Sequence, residues 1–399
     1  MKTQDLINQG FTSIATKSQA MMASRLWFVP YLIIMVGLAA LGGIKPNVGW
    51  DVVGYTGSAL TFAGEEDFHK QAYSLVKEAL PQEYNALITD NPTADRPSTY
   101  RSTMFANQDA FQEQLAYYQI RPLFVGAMAL AYKAGFNPVH MLLLISVLST
   151  IGITLLVYRR LVQDITPFLA AFFGISLVLY LRLPSYAGLT TVDPLLGFVF
   201  TWFVLSFEKG ANFSKVIVFC LLLILIRSNA VVFTFPILMM SVLAKPLDLK
   251  ITQLSLKQGI IAGVSSLVLM KLIEGVVGNY GWWTVYYFTF VESLNFPTQF
   301  QGSFDLGVYI KGVLEGARWL LSDRFTTLFY LFISMVLIGL SAHKDARNKA
   351  GQGLLVLAFA IIFIGHFLLF PLVMARFYFP LYVLSGVYAC LVMLPPKRV

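Results

Sequence analysis

Charge is what this sequence has least of. Only 13% of its 399 residues are Asp, Glu, Lys or Arg, where a soluble domain carries about 25%. That shortage excludes an ordinary soluble enzyme and a disordered chain. Cysteine is nearly absent. Cys220 and Cys390 both lie in apolar runs, so they make neither a disulfide framework nor a metal-ligand spacing. The histidines, His69, His140, His343 and His366, are scattered without ligand spacing. There is no Walker A loop, no Rossmann fingerprint, no His-Glu-x-x-His and no nucleophile elbow. Nucleotide-driven transport and soluble-type hydrolase chemistry lose their footing. No low-complexity tract and no repeat at solenoid periods is present. Residues 1–25 are polar and amphipathic, and no small-residue cleavage site follows the first apolar run, so a cleaved leader is not expected.

What the chain has is apolar length. Hydrophobic residues make up 57% of it, and the mean hydropathy is +0.68. Apolar runs cover 27–43, 138–158, 165–181, 195–207, 213–226, 229–244, 258–277, 325–342, 353–370 and 377–394. A further run, 122–136, is shorter than the roughly 20 residues that a span requires and carries Lys133. It fits a helix lying at the membrane interface better than a span.

Charge settles the topology expected. With 122–136 kept out of the bilayer and the N-terminus inside, the inner segments are 1–26, 159–164, 208–215, 245–257, 343–349 and 395–399. They hold 15 Lys/Arg and 5 Asp/Glu, and the rest of the chain holds 14 and 16. If 122–136 spanned, Arg159 and Arg160 would lie outside and every later loop would reverse. The positive-inside rule therefore predicts an all-α polytopic membrane protein. It would be a single domain over 1–399, with about ten transmembrane helices and both termini cytoplasmic. The same bias accounts for the net charge of +8 without a nucleic-acid partner, which would need a basic face on a soluble domain.

Two large outer loops follow. The first, 44–137, contains 10 of the 21 acidic residues. Its stretches 68–80 and 109–118 read as amphipathic interfacial helices, separated by a polar stretch at 89–99. The second, 278–324, opens with Tyr280, Trp282, Trp283, Tyr286 and Tyr287, either an interfacial aromatic belt or a ligand contact.

Charged residues at a membrane edge need a reason. Asp51 follows the first span, in Val48-Gly49-Trp50-Asp51-Val52. It is either a solvated acid or helix cap, or a carboxylate held at the surface as a general base or metal ligand. Asp193 precedes Pro194 where the chain enters the fourth span, a position that suits a cap as well as catalysis. Arg227 stands at the apex of a tight helical hairpin, and Arg376 at the outer end of the last span. Both suit headgroup snorkelling as well as a structural or binding role. Arginine fits phosphate because its planar fork donates paired hydrogen bonds and stays charged. All four fall on the outer face. Tyr118 and Arg121 precede Pro122 at the interfacial helix, on which Lys133 can snorkel. Glu65, Glu66 and Asp67 read as a solvated helix start. Lys271 and Glu274 are spaced to pair on one helix face.

The order of these features resembles the GT-C superfamily of membrane glycosyltransferases, most closely the bacterial branch of protein mannosyltransferases and lipid A aminoarabinose transferases. As architecture the resemblance covers nearly the whole chain. Trp50-Asp51-Val52-Val53-Gly54-Tyr55 resembles the family's acidic motif after the first span. Tyr118-Gln119-Ile120-Arg121-Pro122-Leu123 through Gly135 is similar to its surface helix. Thr191-Val192-Asp193-Pro194-Leu195-Leu196 is similar to its acid at the fourth span. Arg227 resembles its hairpin basic residue, and Arg376-Phe377-Tyr378 its Arg-aromatic pair.

The resemblance implies transfer of a sugar from a polyprenyl-phosphate-linked donor to a glycan, lipid or protein acceptor at the outer face of a bacterial inner membrane. Asp51 and Asp193 would be the catalytic carboxylates. Arg227 and Arg376 would hold the donor phosphate, and Tyr55, Tyr118, Arg121 and Tyr378 would bind substrate. No cofactor is implied outright. The first loop has no Asp-x-Asp pair, and a divalent metal stays open. A lipid-linked polysaccharide polymerase or ligase usually carries its dominant outer loop late in the chain. A non-enzymatic flippase or transporter tends to have midplane charges and internal repeats.

Overall fold

Helix starts in this chain are written by proline and by small polar caps. In the computed structural model, which describes residues 26–90, 99–342, 346–372 and 374–393, helices α7, α8 and α9 each begin on Pro at the first position, where the missing N–H costs nothing. The side chains of Asn137, Thr166 and Asn212 accept from the first-turn amides of α8, α9 and α12. Ser255 and Gln258 close a reciprocal capping box on α14.

In chain order the helices are α1 (Leu26–Ile44), α2 (Asp51–Ala63), α3 (Phe68–Ala79), α4 (Tyr84–Ile88), α5 (Tyr100–Ala106), α6 (Gln108–Gln119), α7 (Pro122–Lys133), α8 (Pro138–Asp164), α9 (Pro167–Tyr180), α10 (Leu183–Ala187), α11 (Asp193–Glu208), α12 (Phe213–Ile226), α13 (Val231–Ala244), α14 (Leu256–Val277), α15 (Gly281–Phe290), α16 (Leu306–Ser322), α17 (Arg324–Ala342), α18 (Ala346–Leu369) and α19 (Ala375–Met393). No strand occurs among the described residues, apart from one isolated parallel bridge between Asn47 and Leu189. Six helices, α1, α8, α14, α17, α18 and α19, are long and apolar enough to cross a membrane. Helices α7, α9, α12 and the stretch Ser228–Ala244 are apolar but shorter. The chain is thus an α-helical protein of membrane type.

Long-range contacts sort the bundle into two ends. At one end Arg160 of α8 meets Glu208 of α11 through two hydrogen bonds of 2.8 and 2.6 Å. Arg160 also meets Asp164 at 2.7 Å. Gln352 of α18 and Tyr388 of α19 donate to the same Glu208 carboxylate. At the other end lie α2–α7, the starts of α11 and α19, and the α12–α13 corner, which gather around Asp51 and Asp193 as described below.

Helices α2–α7 form a layer over that second end. Helix α2 is buried from Val52 to Leu60. It packs on α6 because Gly54 and Gly57 carry no Cβ: one would overlap the Tyr118 ring and the other the Phe111 ring. A helix buried all round shows no amphipathic period, so α2 is absent from the sequence reading, whereas α3 and α6 match the stretches predicted at 68–80 and 109–118. Helices α4, α5, α15 and α16 are likewise additions within the two loops. The predicted pair Lys271–Glu274 forms at 2.7 Å. Both cysteines are free. Residues 1–25, most of the polar stretch 89–99, and 343–345 and 394–399 lie outside the described residues.

Candidate functional site

A short backbone clamp sets the site. After α1, the Asn47 amide donates to Gly188 O at 2.8 Å, and the Gly49 amide donates to Thr190 Oγ1 at 3.2 Å. Ser146 on α8 holds Leu189 O from the other side at 2.8 Å. The clamp fixes the start of α2 beside the start of α11. Asp51 and Asp193 are the first residues of these helices, where the helix dipole favours a carboxylate. Neither caps its helix. The cap positions are Trp50 and Val192, without side-chain caps, so the cap reading of both acids is set aside.

The four outer-face charges converge. Arg376 Nη1 donates to Asp51 Oδ2 at 3.3 Å, and its Nε lies 3.6 Å from Asp193 Oδ2. Arg227 Nη1 donates to Asp193 Oδ1 at 2.8 Å, and Thr191 Oγ1 to Oδ2 at 2.7 Å. The two acids differ in access. The Asp193 side chain is 4% exposed and that of Asp51 is 33%. Asp193 is therefore a buried carboxylate whose oxygens are already taken, and Asp51 is the one that a reactant can reach. Phe377 sits against both guanidiniums, 5.0 Å from Arg227 and 5.1 Å from Arg376, a cation–π arrangement that keeps the two like charges oriented.

Tyr118 and Arg121 complete the cluster. Tyr118 Oη donates to Asp51 Oδ1 at 3.1 Å. Burial, and then the Asp51 charge beside it, push the Tyr118 phenol well above its ordinary value, so it remains a neutral donor. Arg121, in the link between α6 and α7, stacks over Tyr55 at 5.1 Å and Tyr118 at 5.7 Å. It makes no salt bridge among the described residues, and its buried Nε has no hydrogen-bond partner. Three arginines against two aspartates leave the cluster cationic, a setting that attracts an anion.

Tyr378 is the one predicted substrate residue that the structure keeps apart. It is fully buried in α19. Its hydroxyl meets His366 Nδ1 at 3.1 Å, and its ring lies against Phe363. On a helix, neighbours point about 100° apart, so Phe377 faces the arginines and Tyr378 faces the core. Tyr55 is buried beneath Arg121 and contributes a ring face rather than an accessible hydroxyl. Thr190, Thr191, Phe377 and His366 were not singled out from sequence as site residues. Thr191 and Phe377 stand directly beside residues that were, and that adjacency was the available signal.

Among the described residues no group of three His, Cys, Asp or Glu side chains could hold a metal ion, and both carboxylates are engaged by arginine. The residues present do not make a divalent-metal set. No family model, no curated protein and no solved structure matches the chain.

Proposed function

We propose that the chain is a membrane glycosyltransferase of the GT-C kind, acting at the outer face of a bacterial inner membrane on a polyprenyl-phosphate-linked sugar. One observation carries the reading. Asp51, Asp193, Arg227 and Arg376, from four distant segments, meet in one cationic cluster with one accessible carboxylate. The proposed topology has about ten spans with both termini cytoplasmic. The charge bias supports it, as does the alternation of helix ends between the Arg160–Glu208 end and the Asp51 end.

In the proposed reaction the acceptor hydroxyl gives its proton to Asp51 as its oxygen attacks the anomeric carbon. The new C–O bond forms while the bond from the anomeric carbon to the phosphate oxygen breaks, with inversion. Polyprenyl phosphate leaves with the bonding electron pair. General-base help of this type contributes about 10²–10⁴-fold. Arg227 and Arg376 meet the charge that grows on the leaving phosphate, and fixed donors of this kind are a large part of such catalysis. Arg121, with no carboxylate partner, adds a third guanidinium. Asp193 is assigned as a positioning residue: it holds Arg227 and Arg376 and does not touch substrate.

Purified protein in lipid nanodiscs, given a panel of isoprenyl-phosphate sugars and envelope acceptors, tests this. The expected result is release of isoprenyl phosphate matched one-for-one by glycosylated acceptor. Movement of the intact donor across a bilayer without bond cleavage would instead identify a flippase.

A further inference from the structure

A second feature touches the cluster from outside it. A cavity of about 450 Å³ reaches Arg376 and Thr191, while Asp51, Tyr55, Arg121 and Arg227 do not line it. Ser185, Thr190 and Thr191 give it a polar wall, and Leu181, Phe325 and Phe379 an apolar one. Its volume lies in the range of small-ligand sites. The apolar wall ends between α9 and α17, where Tyr180 meets Phe325 edge-on at 6.3 Å.

The charge around this cavity has one sign. Arg182 and Arg376 both line it, and no Asp or Glu does. At the α17 side the Arg324 guanidinium sits over the Phe325 ring at 4.7 Å. The nearby Asp323 carboxylate is taken by Thr326 as the cap of α17. Arg182 holds a left-handed backbone, φ 57°, uncommon for a residue with a side chain. Such conformations gather at ligand clamps.

We propose that this cavity binds a phosphate-bearing lipid, with the phosphate between Arg182 and Arg376 and the chain leaving between Tyr180 and Phe325. Arg182 is then a binding residue that no motif in the sequence singled out. The inference rests on the proposed transferase reaction for what the lipid is doing there: either the donor and its released carrier, or a lipid acceptor. It does not rest on that reaction for the existence of the site. Two parallel hydrogen bonds from a guanidinium suit a phosphate monoester, and the one-sided charge attracts it. The apolar wall matches the first part of a hydrocarbon chain.

The test is equilibrium binding to the purified full chain in neutral detergent, using farnesyl phosphate, farnesol and dioleoyl phosphatidic acid as probes. Arg182→Gln and Arg182→Gly should each weaken farnesyl phosphate about 10-fold or more, the loss expected for one charged contact. Farnesol binding should not change. Arg182→Gly accommodates the left-handed backbone without strain, so its loss of binding cannot be a folding defect. Farnesyl phosphate bound in preference to phosphatidic acid supports the site as that of the donor or its carrier. Equal, Arg182-dependent binding of both supports it as a site for a phospholipid-like acceptor. Farnesyl phosphate binding that ignores both Arg182 variants overturns the proposal. Arg182-dependent binding in a protein that transfers no sugar would sink the transferase reading alone, and transfer activity with Arg182-independent binding would sink this inference alone.

Discussion

Arg376 Nη1 donates to Asp51 Oδ2 at 3.3 Å, joining residues 325 positions apart. The contact couples the first helix of the outer layer to the last long helix of the chain. The same guanidinium reaches Asp193, so the accessible and the buried carboxylate share one cation. The arrangement gives the two acids different work: Asp193 orients the arginines, and Asp51 faces the reactant.

The buried pair Asp193–Arg227 should matter to stability. Removing one partner of a buried ion pair leaves a charge uncompensated and costs about 3–5 kcal/mol. Asp193→Ala is expected to lower stability by that order in a denaturation assay in detergent. Asp193→Ala combined with Arg227→Gln should cost clearly less than the sum of the single losses. Additive losses would mean that the pair is not coupled.

Gly54 tests the packing that aims Tyr118. A methyl group there would overlap the Tyr118 ring. Gly54→Ala should cost about 1–3 kcal/mol from overpacking. It should also slow sugar transfer by about 10-fold or more, since small misplacements of positioned groups are expensive. Gly37→Ala on α1 is the control, because a Cβ there meets nothing. It should change neither stability nor rate.

Tyr118 is expected to act as a neutral hydrogen-bond donor. Its phenol is raised by burial first and the Asp51 charge second, from an ordinary value of about 10. Below pH about 10 it is protonated in the folded and unfolded states alike, so it contributes no pH dependence there. Above that pH the unfolded phenol ionises first, and stability should fall as pH rises. Tyr118→Phe should lower the transfer rate by about 10-fold, the scale of one hydrogen bond to a charged group. It should leave the shape of the pH–rate profile below pH 9 unchanged. An alkaline limb that disappears in Tyr118→Phe would show that the phenol ionises in the working range.

At the far end, Glu208 gathers Arg160, Gln352 and Tyr388. Glu208→Ala should destabilise by about 3–5 kcal/mol through the stranded Arg160 charge. In the fraction that stays folded, transfer per molecule should be unchanged. A fall in the specific rate would tie this end to the reaction.

The sequence made the long helices legible because each is an unbroken apolar run. The direction of the chain was readable from where Lys and Arg collect. Asp51, Asp193, Arg227 and Arg376 stood out because charges at apolar borders are costly. Their convergence was not readable, since it depends on the Asn47–Gly188 clamp and on two glycines of α2 that let Tyr118 close in. Helix α2 itself was hidden because it is buried on every side. The pairing of Arg376 with Phe377 rather than Tyr378 followed from helical geometry that residue types alone do not reveal. The Arg160–Glu208 pair stayed unread because its partners lie far apart in sequence and look like ordinary loop charges.

The central claim, that Asp51 is the base of a sugar transfer, is tested most directly by mass profiling of envelope glycans and glycolipids in three matched strains. One lacks the protein, one carries it unchanged, and one carries Asp51→Asn at equal membrane abundance. Asp51 is a third exposed, so the variant should fold and insert. The account predicts that one sugar mass vanishes without the protein, returns with the unchanged chain and stays absent with Asp51→Asn. Full restoration by Asp51→Asn would contradict it.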